Sequence, residues 1–438
     1  MMKRKTHRRT FTALGILVLL VGIVSLPPVW SRVSWHVDQW RTSLNVYFHP
    51  PQDVAFASGA GQATQGTALP LPLVFMSTLP VTPTAPSLPT ATALPATPTP
   101  TSTPLPQHVA LGGVRYTSQK GYYNYCAPAN LAMMLSFWGW SGKMTDIGAV
   151  VKPDPQDKNV MPYELEDYAR THAGLGALTR VGGTLDDIER LVANGFPVLT
   201  EMGVYFNDIH GQNTWMGHYR VITGYDLTKG VLIAQDSYIQ PNYEVPFDDF
   251  VREWRSFNYT YTLVYPPDEE PQVMALLGPA ADPAANARAA LATAQQELGQ
   301  LSGVDQFFAW FNYATNLVAL QDYTGAAREY DTAFRLYNAL PKDQTLRPFR
   351  ILWYETGPFK AYYYTGRYQQ VIDLATNNSI GMVRDDEPAL EESFYWRGMA
   401  EAALGETQSA VDDLHTSLTY HPGFQPSLLE LQQLGVNP

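Results

Sequence analysis

The sequence predicts an α+β domain followed by an all-α helical-repeat domain, set behind an N-terminal transmembrane helix and a disordered Pro/Thr-rich linker. Three observations carry this expectation. An apolar run at residues 11–26 follows a basic flank, helical spacing gives way to strand-like runs between 108 and 267, and a large/small residue pattern recurs from 283 to 438. With 438 residues, 45% of them apolar, the chain has material for two globular domains and ancillary segments. A formal charge of -12 argues against nucleic acid as the main partner, because phosphate binding needs clustered Lys and Arg.

Residues 1–10 form the basic flank: Lys3, Arg4, Lys5, Arg8 and Arg9 precede the first carboxylate, Asp38. The run "FTALGILVLLVGIVSL" is near the short end of the about 17–25 residues that a spanning helix needs. "PPVWSRVSWHVDQW" follows with no small-x-small cleavage site close by, so residues 11–30 are read as an uncleaved signal-anchor. Cleavage there would instead give a secreted chain. The basic flank stays in the cytoplasm, the bulk of the chain is extracytoplasmic, and Trp30, Trp35 and Trp40 suit the outer interface. A juxtamembrane segment, 31–78, leads to a stalk at 79–107. Its sequence "LPVTPTAPSLPTATALPATPTPTSTPLP" lacks charge and aromatics and cannot bury enough apolar surface to fold. Fully extended at about 3.1 Å per residue, it would hold a domain on the order of 80 Å from its anchor.

The α+β domain is expected over 108–267. After Cys126, the apolar residues Leu131, Met134, Leu135 and Trp138 recur at helical spacing, with Gly139 near the end of the run. Helices are also expected around "MPYELEDYARTH" and "TLDDIERLVANG", the latter with Thr184 and Asp187 arranged as a capping box. Strands are expected at "FPVLTEM", "GHYRVITGYD", "GVLIAQDSY" and "YTYTLVY", rich in branched and aromatic residues. Helix first and antiparallel strands later is an α+β order.

Over 283–438 the sequence is helical throughout. Trp310, Ala314, Leu317, Ala326, Tyr330 and Ala333 fall where a tetratricopeptide-like (TPR-like) helix pair needs large and small residues. Gly398, Ala410, Leu414 and Pro422 repeat the pattern, and Gly366, Tyr368 and Ala375 fit it more loosely. A plain helical bundle is the alternative. The aromatic cluster "YETGPFKAYYYTGRY" suits either repeat packing or a concave peptide-binding face.

Cys126 is the only cysteine, so an internal disulfide is excluded, and it is a dimer-linking thiol, an inert buried residue or a nucleophile. Pro128 suits the first turn of a helix, which starts close to the thiol, and unpaired N–H groups there favour a thiolate. His218 opens a predicted strand just after Gly217, where a backbone can approach a substrate, and Asp236 ends the next one. A hairpin of the two strands would bring imidazole and carboxylate to one edge. Gln119 stands seven residues before Cys126, where its amide, with the Cys126 N–H, suits an oxyanion. Glu201 and Asp208 suit a cleft wall or a surface loop. His210 and His218 are eight apart without an HExxH pattern or a second Cys, so neither a metal nor another cofactor is expected.

"Q-x6-C-A-P-A" with "GHYRVITGYD" and "AQDSY" resembles the peptidase C39-like family, related to bacteriocin-leader peptidases, over roughly 108–265. The resemblance implies a papain-like cysteine peptidase fold with Cys126, His218 and Asp236 as triad and Gln119 in the oxyanion hole. It also suggests a bacterial envelope. Ala127 stands where the family usually has Gly, and a methyl there is expected to narrow the approach to the thiol. The Gln119-to-Cys126 spacing is one residue longer than in leader peptidases. No bundle of membrane helices and no phosphate-binding loop accompanies the region, which speaks against ATP-driven export. The expected function is a membrane-anchored cysteine peptidase acting on a peptide or protein substrate, with the TPR-like region binding substrate or a protein partner. Its rival is a catalytically silent surface scaffold or peptide-binding protein.

Overall fold

The runs of Val, Ile, Leu and Tyr between 198 and 265 form the centre of one antiparallel sheet. The computed structural model describes residues 104–207, 213–342, 347–383 and 387–437. The expected anchor at 11–30, its flanks and all but the last few residues of the stalk lie outside the described residues, as do Asp208 and His210. Among the described residues no helix is long and apolar enough to cross a membrane.

The strands are β1 (His108–Ala110), β2 (Gly176–Arg180), β3 (Val198–Asn207), β4 (Asn213–Asp226), β5 (Val231–Gln235), β6 (Tyr243–Pro246) and β7 (Tyr261–Tyr265). Their order is β2-β7-β3-β4-β5-β6, and β1 pairs with the far end of β4, from Gly224 to Asp226, beyond the reach of β3. Successive side chains point to opposite faces, and both faces are covered, which is why these strands read as nearly continuous apolar runs. Leu199, Val221 and Val264 face one layer, α1 (Cys126–Phe137), α2 (Met144–Val151) and α3 (Pro162–His172), where Leu131, Met134, Ile147 and Leu165 are fully buried. Their neighbours Val198, Ile222 and Leu263 face the other, built from α4 (Leu185–Ala193), α5 (Phe247–Arg255) and α6 (Glu270–Leu277). Thr184 caps α4 as expected: its hydroxyl accepts from Asp187 N at 3.1 Å and its own N–H donates to Asp187 Oδ2 at 3.0 Å.

Two expectations need correction. The order is not helices first and strands later, because β2 separates α3 from α4 and α5 separates β6 from β7. His218 does not open a strand either: it lies inside β4, opposite Met202 of β3. The pairing continues past Gly203 and Gly217, which face each other, to Asn207 and Asn213. Two glycines in register look like a strand end in the sequence and are an uninterrupted ladder in the fold.

The helical region comprises α7 (Pro283–Glu297), α8 (Gly303–Ala319), α9 (Tyr323–Ala339), α10 (Ile351–Tyr354), α11 (Gly357–Tyr364), α12 (Tyr368–Asn378), α13 (Glu391–Leu404), α14 (Thr407–Tyr420) and α15 (Gln425–Gln433). Ala314, Ala326, Tyr330 and Ala333 are fully buried in one cluster with Phe307 and Phe311, where α8 meets α9. At Gly398 a Cβ would lie 3.1 Å from the carbonyl oxygen of Ala410, so the small residue lets α13 and α14 approach. In the aromatic cluster, Phe359 and Tyr362 belong to the core and Tyr364 is exposed. This core does not stop at the domain border. Trp215 of β4 stacks on Phe257 at 5.8 Å and meets Phe308 of α8 at 6.0 Å and Tyr354 of α10 at 6.1 Å. Asn258 and Asn316 exchange side-chain amide hydrogen bonds of 2.9 and 3.1 Å across the same border.

Candidate active site

Two elements deliver the reactive groups: the start of α1 and the paired strands β4 and β5. Asn124 turns the chain into α1 with φ of 46°, a left-handed conformation that Asn tolerates better than most residues, and its amide donates to the Asp157 carbonyl at 3.3 Å. Tyr125 is the N-cap and offers no side-chain cap, and no acidic residue occupies the first turn. Pro128 has no N–H, so the Cys126 and Ala127 amides are the donors at this end of the helix. Cys126, half-buried, therefore sits beside the positive end of α1.

His218 and Asp236 come from adjacent antiparallel strands, with Val221 opposite Gln235. Nε2 of His218 meets Oδ1 of Asp236 at 3.1 Å, and both side chains are sealed from solvent. Burial alone would lower the imidazole's pKa. The Asp236 carboxylate and then Cys126, each by hydrogen bonding and charge, outweigh it and push His218 up to about 9. With Nε2 given to Asp236, Nδ1 is the ring nitrogen left for the sulfur. Phe206 lies edge-on to the imidazole at 5.1 Å and stacks on Tyr238 at 4.8 Å, walling the ring on that side.

Asp236 is held from several directions. Besides His218, Oδ1 accepts the N–H groups of Tyr238 at 2.8 Å and Ile239 at 2.9 Å, and Oδ2 accepts Arg220 Nε at 2.7 Å. Burial would raise this carboxyl, but His218 and Arg220 hold it well below the usual carboxylate range. Arg220 is itself tied to Glu253.

Gln119 is fixed by both its backbone and its side chain. Its N–H donates to the Ser237 carbonyl at 3.0 Å, and its Oε1 accepts the Ser237 hydroxyl at 2.6 Å. The Ser237 oxygen in turn accepts Asn130 Nδ2 at 2.8 Å, and Asn130 also donates to the Cys126 carbonyl at 2.9 Å. With Oε1 occupied, the Nε2 donors are the end of the Gln119 amide available to a ligand. A hydrogen-bonded string thus joins all four expected residues through Asn130, Ser237 and the chain at 236–237.

Residues 112–262 match the Peptidase_C39 like family. The match spans about a third of the chain and includes Gln119, Cys126, His218 and Asp236. A crystal structure from Bacillus anthracis, described as that of a C39-like peptidase, is similar at 17% identity over 36% of this chain and 96% of that one, with a TM-score of 0.30. No curated protein matches the chain.

Within the C39-like segment, Arg220, Ser237 and Asn130 were not singled out from sequence, although each carries a positional signal. Arg220 is two residues beyond His218 on one strand and so shares its face. Asn130 is one helical turn beyond Cys126, and Ser237 directly follows Asp236. Three other expectations change. Ala127 is only 2% exposed and belongs to the α1 core, so its methyl packs inward instead of narrowing the approach to the thiol. Glu201 is no surface-loop residue: it is buried in β3 opposite Tyr219. The space over Gly217 is taken by both regions, since a Cβ at 217 would lie 2.9 Å from Cε1 of Tyr354 in the helical region and 3.0 Å from Cζ of Phe257 in the sheet-containing one. Next to Tyr354, Glu355 lies close enough to raise the pKa of Glu201. The helical region therefore forms part of the wall behind His218.

Proposed function

We propose that the chain is a membrane-anchored, extracytoplasmic cysteine peptidase of the C39-like kind. The observation that carries the reading is His218, gripped by Asp236 at Nε2 and approached by Cys126 at the start of a helix. The His218 ring takes the thiol proton and the sulfur attacks a peptide carbonyl. The Cys126 N–H and Gln119 Nε2 receive the oxyanion, with Ser237 fixing the amide's orientation. Collapse expels the amine, which leaves with the proton held on His218. Water, deprotonated by His218, then releases the acyl group; an amine in place of water gives transpeptidation. Asp236 orients the ring throughout and stabilises its charged form.

In this reading residues 11–30 anchor the chain, 79–107 hold the enzyme away from the membrane, and the TPR-like helical region recruits the peptide or protein substrate. Alkylation of the folded chain tests the chemical core. Iodoacetamide should modify Cys126 faster than a free thiol at mildly acidic pH, and His218→Ala should abolish that advantage. A slow thiol indifferent to His218→Ala would leave only a silent scaffold or peptide-binding role, and a reducible doubled mass on a gel would point to a redox-linked dimer.

A further inference from the structure

A second cluster of titratable side chains lies on the border between the sheet-containing and helical regions. Glu164 stands in the first turn of α3, Glu391 begins α13 and His421 follows α14. Glu164 and Glu391 are buried and His421 is mostly so. His421 Nδ1 lies 3.0 Å from Glu391 Oε1 and 3.6 Å from Glu164 Oε1, and one ligand atom from each of the three residues falls within 4.8 Å of the others. Atoms bound about 2.1 Å from one ion at tetrahedral or octahedral angles are roughly 3.0–3.4 Å apart, so both His421 separations are close to a ligand spacing and the two carboxylates, within 4.8 Å, are within reach of one ion after they draw together.

One acceptor in the cluster and one beside it lack what a stable buried site requires. Glu391 Oε2 and Asn159 Oδ1 are on side chains at 1% and 5% exposure, and neither has a hydrogen-bond partner among the described residues. Glu391 Oε2 belongs to the carboxylate that meets His421. Asn159 lies beside the cluster: its Nδ2 donates at 3.3 Å to Oε2 of Glu392, the residue next to Glu391. A buried acceptor without a donor is costly, and a cation satisfies such acceptors while removing the repulsion between neighbouring carboxylates. Two carboxylates with one imidazole suit a borderline divalent ion such as Zn2+ or Mn2+.

We propose that Glu164, Glu391 and His421 bind one divalent transition-metal ion that clamps the helical region onto the sheet-containing region. This site is separate from Cys126 and His218. Its ligands come from segments more than two hundred residues apart in the chain, so the ion acts as a cross-link that forms only when the two regions are docked. The three ligands share no local spacing, so no metal motif marks them in the sequence.

The test is titration of the metal-stripped full chain with MnCl2 and with ZnCl2, against a competing chromogenic chelator. It is run in a Cys126→Ala background so that the thiol cannot take zinc. Saturable binding of one ion per chain is expected for at least one of the metals, with a rise in the thermal midpoint. Glu391→Gln and His421→Asn should each weaken that binding about a hundredfold or more and cancel the thermal shift, given that even outer-shell changes cost 10–100-fold. No one-to-one binding of either ion to the parent chain overturns the proposal, and so does undiminished affinity in the two variants. Circular dichroism checks that the variants fold; if neither does, the parent titration decides.

Discussion

Asp236, just after β5, and Glu201, in β3, are two sealed carboxyl groups on either side of β4, and their partners have driven them in opposite directions. Asp236 accepts from an imidazole, a guanidinium and two backbone amides and stays ionised. Glu201 is pushed well above the usual carboxylate range by burial and then by Glu355, while the Tyr219 hydroxyl opposes the rise only in part. Glu355, raised by burial to about 7, belongs with Glu201. Desolvation penalises both sites; the supply of donors decides which keeps its charge. The sheet thus holds a fixed anion against the imidazole and, on the far side of β4, a carboxyl that prefers the neutral form.

The comparison breaks most visibly at Asp236→Asn. The substitution keeps the volume but removes the charge that balances Arg220 and His218. Breaking a buried ion pair costs about 3–5 kcal/mol, and a loss of that order is expected in denaturant unfolding. With the anion gone, only Cys126 opposes the burial of His218, and its ring should titrate well below about 9, as followed by its NMR resonances. A destabilisation under about 1 kcal/mol, against that 3–5 expected for a broken pair, would mean that His218 and Arg220 do not hold Asp236 as a buried ion.

A pH series sharpens the same contrast with a smaller effect. His218 has its pKa raised from 6.5 to about 9, so its stabilising contribution is fully present below pH 6.5 and is lost as pH rises through about 9. Glu355 is raised from 4.5 to about 7, so its contribution is complete below pH 4.5 and is lost as pH rises through about 7. Each shift corresponds to at most about 3 kcal/mol. Unfolding midpoints should therefore fall across both windows, with Glu355→Gln flattening the lower one and His218→Gln the upper one. A profile flat from pH 5 to 9 in the parent chain would contradict both assignments.

The residues that were legible from sequence are those whose chemistry is tied to local punctuation. Cys126 precedes a proline-marked helix start, His218 follows a glycine, and Asp236 ends a short apolar strand. Thr184 and Asp187 announced α4 in the same way. What stayed hidden depends on contacts between distant segments. The position of Ser237 after Asp236 gains its role only when it meets Gln119 and Asn130, and that of Arg220 only when Asp236 and Glu253 enclose it. The packing of Trp215 against Phe308 and Tyr354, which fuses the two regions, has no local signature at all. Gly203 and Gly217 misled for a related reason: a glycine pair matched across a ladder is indistinguishable, one strand at a time, from two turns.

Ala127 supports the smallest of these effects, and one that separates packing from access. Its methyl is buried among Ala129, Leu131 and their neighbours in the α1 core, on the residue next to the nucleophile candidate. Ala127→Gly restores the residue usual in the resembled family. It should cost about 1 kcal/mol through the lost methyl burial and the looser helix start. Alkylation of Cys126 should proceed at the parent rate, because a methyl only 2% exposed and packed into the α1 core leaves the exposed part of the thiol as it was when it is removed. An acceleration of several-fold without loss of stability would instead mean that the methyl guards the thiol, and that the inward packing of α1 relaxes whenever a reagent approaches.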